Sequence, residues 1–347
     1  MPEAILEPEL PIVDPHHHLW QRAGAPPADA FAGPVHPFSQ VVAKRPRYLW
    51  DELRDDITSG HNVIATVFVQ CGAMYRADGP DTLRPVGETE FVNGVAAMSA
   101  SGLYGPARAC AGIVGHADCT LGERIDETLE AHLKVTDRFK GIRHSCSYDA
   151  DPGVLGPLSR QTPGLYASDD FRKGYARLAR YGLSFDAWFL EPQLPEVYDL
   201  VKDHPDIPVV IDHVGTPLGL ASYEGRREER FPIWRESMAK LAQLPHVNVK
   251  LGGLAMAFCN FPSFLSDPPA PSTQLAAEWK PYLETCIELF GPSRCMFESN
   301  FPVDLGSCDY PTLWNAFKVF ARDYSASEKA DLFAGTAKRV YRLNLPN

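Results

Sequence analysis

The sequence predicts an α/β fold, a closed (β/α)8 barrel of the TIM type. Three observations carry that expectation. Eight short apolar or β-branched runs recur along the chain. Segments with helical spacing separate them, as parallel strands require. Long loops follow the strands, whereas the returns from helix to strand are mostly short, such as "DHPD" and "GPSR".

The runs are Pro11–Asp14, Asn62–Val69, Ala109–Val114, Phe139–Arg143, Leu183–Trp188, Ile207–Asp212, Val247–Leu251 and Arg294–Glu298. Several are nearly all apolar, as expected of strands covered on both faces. Helical spacing appears in "ETEFVNGVAAM" after the second run, "ERIDETLEAHL" after the third and "FRKGYARLARY" after the fourth. It continues in "EPQLPEVYDLVK", "FPIWRESMAKLAQ", "LAAEWKPYLETCIELF" and "YPTLWNAFKVFA" after the next four. A final "SASEKADLFAGTAKRVY" opens with Ser325 three residues before Glu328, the spacing of a capping box. An open doubly wound sheet is the alternative. The strand count and the absence of a G-x-G-x-x-G turn after the first strand favour the barrel. No repeat or linker divides the chain, so residues 1–347 are read as a single domain.

The long loops include "QRAGAPPADAFAGPVHPF", "CGAMYRADGPDTLRPVG" and "GGLAMAFCNFPSFLSDPPAPSTQ". In a barrel they share the C-terminal face, where active sites sit, and read as lids and substrate walls.

Composition excludes other classes. The chain has 347 residues, 45% of them hydrophobic, enough for a sizeable core. A net charge of −11 argues against a nucleic-acid surface. No apolar run approaches the roughly 20 residues of a membrane span, and the start lacks the pattern of a signal peptide. Eight cysteines without a C-x-x-C pair suggest reduced thiols, so the expected location is the cytoplasm. Self-association is compatible with a barrel of this size, but no interface signature is present.

Candidate site residues fall at strand ends. In "IVDPHHHLW", alternation turns Asp14, His16 and His18 into the barrel mouth and leaves His17 outward and structural. His213, in "PVVIDHVGTP", ends the sixth run. With His16 and His18 it makes a three-histidine set of the kind that binds zinc with an open position, and Asp212 could anchor an imidazole N–H. The last strand, "CMFESNFPVD", offers Glu298 and Asn300 on one face and Asp304 on the following loop. Gln70, Arg143 with His144, Asp186 with Trp188, and Lys250 stand at other strand ends. Arg143 suits a carboxylate because its planar fork reaches both oxygens. A structural hydrogen bond or ion pair is the plain alternative for each of these taken singly.

"DPHHHLW", "GIRH", "IDHVGTP", "VKLGGL" and "FESNFPVD", in this order, resemble the amidohydrolase-related (amidohydrolase 2) family of sugar lactonases and 2-pyrone-4,6-dicarboxylate lactonase. The resemblance runs from about Ile12 to Tyr341. It implies a (β/α)8 barrel and hydrolysis of a C–O ester bond within a ring. The family's D-x-H-x-H pair maps onto His16 and His18, and its strand-six histidine onto His213. Family members differ on metal: some are associated with a divalent ion, and the pyrone-dicarboxylate lactonase works without one. The family usually carries G-S-D-W-P at the last strand, where the Asp activates water. Here Asn300 holds that position and Glu298 that of the glycine, which leaves Glu298 or Asp304 as the base.

The expected function is therefore a lactonase-like hydrolase of a small, carboxylated cyclic ester. His16, His18 and His213 hold one divalent ion, with zinc the first choice, or polarise the carbonyl directly. Gln70, Arg143, His144, Trp188 and Lys250 bind substrate. A non-hydrolytic lyase or decarboxylase is the second reading, suited by the loss of the water-activating Asp. A catalytically dead ligand-binding barrel is the third.

Overall fold

The computed structural model of the protein describes residues 3–22, 35–158 and 162–345. Eight parallel strands follow one another in chain order: β1 (Ile12–His17), β2 (Val63–Val69), β3 (Arg108–Gly115), β4 (Phe139–Arg143), β5 (Ser184–Ala187), β6 (Val209–Ile211), β7 (Val247–Leu251) and β8 (Cys295–Phe297). A parallel bridge pairs His17 with Phe301. Beside it His18 N donates to Phe301 O and Asn300 N to His16 O, both at 2.8 Å. These bonds return the last strand to the first, and the sheet closes into the expected barrel. Part of the first long loop, residues 23–34, lies outside the described residues, as do residues 159–161 of the loop after β4.

The barrel is filled in its lower half by apolar side chains. Val13, Ala65, Val67, Val69, Val114, Val210 and Met296 meet in its interior. Full burial of a valine or methionine side chain is worth about 1.5–3 kcal/mol, so this layer is a packed core and not a channel. The end of the chain seals it from below. The Ser325–Glu328 capping box forms as expected, with Glu328 Oε2 accepting from Ser325 N at 2.8 Å. A wide turn over Asp331–Gly335 interrupts the expected last helix. Beyond it, Ala337 and Tyr341 pack under the barrel. A much larger apolar cluster lies between strands and surrounding helices.

Two strand ends differ from expectation. β6 stops at Ile211, and Asp212–Gly215 form a tight turn in which His213 has φ 56°. A turn, not the strand pleat, therefore aims His213. β8 stops at Phe297, and Asn300 has φ 53°. Asparagine tolerates this left-handed conformation better than bulkier residues do. All eight cysteines are free. Among the described residues no helix is long and apolar enough to cross a membrane.

Candidate active site

The first strand is bulged, and the bulge decides which side chains enter the barrel. Val13 packs in the interior, and so does His16, three residues on. Strict alternation forbids that spacing. A register shift between Asp14 and His17 supplies the extra residue. Asp14 consequently turns away from the mouth, against the expectation from parity. It accepts from Ser299 N (3.0 Å) and from the Tyr310 hydroxyl (3.1 Å), and burial raises its pKa to about 6. His17 is structural, as expected, with Nε2 2.8 Å from Thr66 Oγ1 in the barrel wall. His18 places Nδ1 2.8 Å from Val69 O. A carbonyl only accepts, so Nδ1 carries the proton and Nε2 keeps its lone pair.

Under the mouth lies a fully buried charge cluster. Lys250 Nζ reaches Asp186 Oδ2 (2.6 Å) and Asp212 Oδ1 (3.0 Å). Burial works against its charge, but the neighbouring carboxylates, Asp186 and Asp212 foremost, outweigh it and raise its pKa. Tyr341, from the seal below, donates its hydroxyl to Asp186 Oδ2 at 2.7 Å. Burial lifts the Asp186 carboxyl to about 6 despite the lysine. Arg143 Nη1 holds the other oxygen of Asp212 at 3.3 Å, and Nη2 donates to Gln70 O. His16 sits among these groups, 3.4 Å from Arg143 Nη1, 3.2 Å from Lys250 Nζ and 2.7 Å from Glu298 Oε2. Burial and the Lys250 charge push its pKa down to about 4, so the imidazole is neutral at pH 7. Glu298 Oε1 accepts from His213 Nδ1 at 2.7 Å. Burial opposes its ionisation, but the two imidazoles hold the carboxyl below the usual range.

Above the cluster opens a cavity of about 400 Å3. His18, His213, Arg143, Gln70, His144, Trp188 and Asn300, all candidates from the sequence, line it. His16, Glu298, Lys250 and Asp304 are fully buried beneath it and do not. Lys250 is thus spent on Asp186 and Asp212 and is not a substrate contact. Neither carboxylate expected to be the base faces the cavity. Asp304 Oδ1 accepts from Asn300 Nδ2 at 2.7 Å, and burial raises its pKa well above the usual range. Sequence reasoning missed Trp20, Arg22, Tyr75, His116 and Phe258 in the lining. Only His116, directly after β3, carried a signal of the kind used for the others.

The converging donor set also differs from the three histidines. His16, His213 and Glu298 bring one ligand atom each within 4.8 Å of one another. Glu298 takes the place expected for His18, whose Nδ1 is held by Val69 O. Two further observations fit a cation there. Glu298 Oε2 is buried with His16 Nδ1 2.7 Å away, but out of line for a hydrogen bond. The cluster also sets three carboxylates, Asp186, Asp212 and Glu298, against two fixed cations, Lys250 and Arg143. Two imidazoles and a carboxylate suit a divalent transition metal.

Comparison with known proteins agrees with this architecture. A family model described as amidohydrolase matches residues 13–343, and the chain belongs to that family. It is 31% identical over 337 residues to the uncharacterized protein y4mH of Sinorhizobium fredii, covering 96% of this chain and 99% of that protein. It is 29% identical over 252 residues to an L-fucono-1,5-lactonase of Burkholderia multivorans, covering 68% of this chain and 73% of that enzyme. Among solved structures, an amidohydrolase from Burkholderia multivorans with bound zinc superposes with a TM-score of 0.71 at 27% identity, covering 96% and 99% of the two chains.

Proposed function

We propose that this chain is a lactonase that opens a small, carboxylated cyclic ester by attack of water. The observation that carries the reading is the setting of His18. Its Nε2 lone pair is left available at the cavity, beside Arg143 and above the His16, His213 and Glu298 cluster. The lactonase relative and the zinc-bound structural neighbour support the same reading.

Arg143 binds the substrate carboxylate. Nη1 is fixed by Asp212 and Nη2 by Gln70 O, while Nε is buried and without a partner among the described residues. The Trp188 ring lies 5.8 Å from the guanidinium and limits its tilt. Bound by His16, His213 and Glu298, a divalent ion, zinc first among candidates, would supply Lewis-acid polarisation of the ester carbonyl and of water. His18 Nε2 takes a proton as the water oxygen bonds to the carbonyl carbon. Burial pushes its pKa well down, so it is unprotonated at pH 7. The ring C–O bond then breaks, and His18 returns that proton to the leaving oxygen. Asn300 spends its amide nitrogen on Asp304, which leaves its amide oxygen to orient water or substrate.

The test is turnover of a panel of carboxylated lactones in 18O-labelled water, with zinc-loaded and chelated protein, for wild type and His18→Gln. One solvent oxygen per product, lost about 10²–10⁴-fold in the variant, is the expected result. Carbon dioxide release from unsaturated or aromatic acids would establish a lyase instead. Tight ligand binding with no turnover anywhere in the panel would leave a binding barrel.

A further inference from the structure

The cavity wall at the ends of β3 and β4 carries two histidines that the mechanism does not use. His116 directly follows β3 and His144 directly follows β4, so adjacent strands present them side by side. Their rings meet edge to face, with centroids 5.0 Å apart and planes at 72°. Both line the cavity. Both are neutral at pH 7, because burial lowers the pKa of each, that of His144 to about 3.

Backbone groups fix opposite tautomers in the two rings. His116 Nδ1 lies 3.1 Å from Arg143 O, a carbonyl that can only accept. Nδ1 therefore holds the proton, and Nε2 is left with a lone pair. His144 Nδ1 accepts from Cys119 N at 3.2 Å, an amide that can only donate. Its Nδ1 is therefore bare, and Nε2 holds the proton. Asp118 Oδ1, 3.8 Å from His144 Nδ1, does not reverse this assignment. That oxygen is already occupied by Thr120 N (2.9 Å) and Thr120 Oγ1 (2.6 Å). Neither Nε2 has a hydrogen-bond partner among the described residues. Both rings are braced from behind. His132 Nε2 donates to His116 O at 3.0 Å, and the Tyr166 hydroxyl donates to His144 O at 2.6 Å.

One acceptor and one donor, side by side and rigid, match a group that donates and accepts at once. A carboxylate cannot donate to His116, and an ammonium cannot accept from His144. An alcohol does both. We infer that the His116–His144 pair is a specificity-determining element that reads a hydroxyl on the substrate. The inference deepens the proposed function: the cyclic ester, or the acid it yields, carries a hydroxyl besides the carboxylate held by Arg143.

Binding of two ring carboxylates tests this without needing turnover. Quinate carries ring hydroxyls and cyclohexanecarboxylate does not. Calorimetry at pH 7.5 would compare wild type with His116→Asn, His144→Asn and His144→Gln. An asparagine amide can keep the backbone contact made by Nδ1, but it does not reach as far as Nε2. Glutamine at 144 restores the reach and a donor. We expect wild type to prefer quinate at least about tenfold, the scale of one or two hydrogen bonds. Each asparagine variant should remove most of that preference by weakening quinate alone, and His144→Gln should recover part of it. Equal weakening of both acids, or a wild type that binds neither or does not discriminate, overturns the inference. If the binding pattern holds but no lactone turns over, the hydroxyl reader stands and the hydrolytic reading falls.

Discussion

Lys250→Met is the most demanding perturbation of the charge cluster, because the structure specifies both its cost and its partial remedy. Lys250 is fully buried and neutralises Asp186 at 2.6 Å and Asp212 at 3.0 Å. Methionine fills a similar volume, so lost packing is a minor part of the effect. What remains is a buried carboxylate pair with its shared cation gone. Removing one partner of a buried ion pair costs about 3–5 kcal/mol. Unfolding entropy of ~2.1 cal/mol/K per residue over 347 residues amounts to ~0.7 kcal/mol/K. The expected fall in Tm is therefore roughly 4–7 °C, read by calorimetry or circular dichroism at pH 7.5. The remedy follows from the bonds that survive. Asp212 keeps Arg143 at 3.3 Å, whereas Asp186 keeps only the neutral Tyr341 hydroxyl. Replacing Asp186 by Asn in the Lys250→Met background removes the stranded charge, so the double variant should melt above the single one. A Tm for Lys250→Met within about 1 °C of wild type, or a double variant that melts below the single one, would refute the reasoning.

Other outcomes follow from the same geometry. Arg143→Lys should raise KM for a carboxylated substrate nearly as much as Arg143→Ala, because lysine keeps the charge but not the planar fork; wild-type KM in Arg143→Lys would remove bidentate binding. Glu298→Gln should lower zinc content and affinity, measured by elemental analysis and calorimetry, since it deletes the charged member of the converging set; undiminished zinc would place the ion elsewhere. Asn300→Asp should not exceed wild-type activity, because a carboxyl placed 2.7 Å from the buried Asp304 shares a proton with it and offers no free base; strong activation would return the water-activating role to this position. His17 is buried with its pKa lowered to about 3, chiefly by burial. Its native form stays neutral while the unfolded form gains a proton below about pH 6.5, so its contribution is present above that value and is lost as pH falls toward 3. The Tm gap between wild type and His17→Gln should accordingly narrow between pH 7 and pH 4.5; a constant gap contradicts the buried neutral imidazole.

The sequence by itself determined the barrel, the order of its strands and part of the cavity lining. Those features rest on local regularities: eight apolar runs, helical spacing between them, and polar residues just past the strand ends. His18, His213, Arg143, Gln70, His144, Trp188 and Asn300 were legible for that reason. Only the tertiary structure decided what each polar group does. The bulge between Asp14 and His17 turned Asp14 outward, and strict alternation cannot anticipate an extra residue. Lys250, with parity that points inward, looked like a substrate contact, but depth in the barrel is not written in a strand pattern. It met Asp186 and Asp212, from two other strand ends, below the cavity floor. Glu298 and His18 exchanged their expected places because hydrogen-bond partners up to 85 residues apart in sequence set where a ring or a carboxylate turns. The tautomers of His116 and His144 are fixed the same way, by one backbone carbonyl and one backbone amide that only the closed barrel brings to them. Strand periodicity tells which residues can reach a site; the direction of their protons and lone pairs depends on neighbours that folding alone assembles.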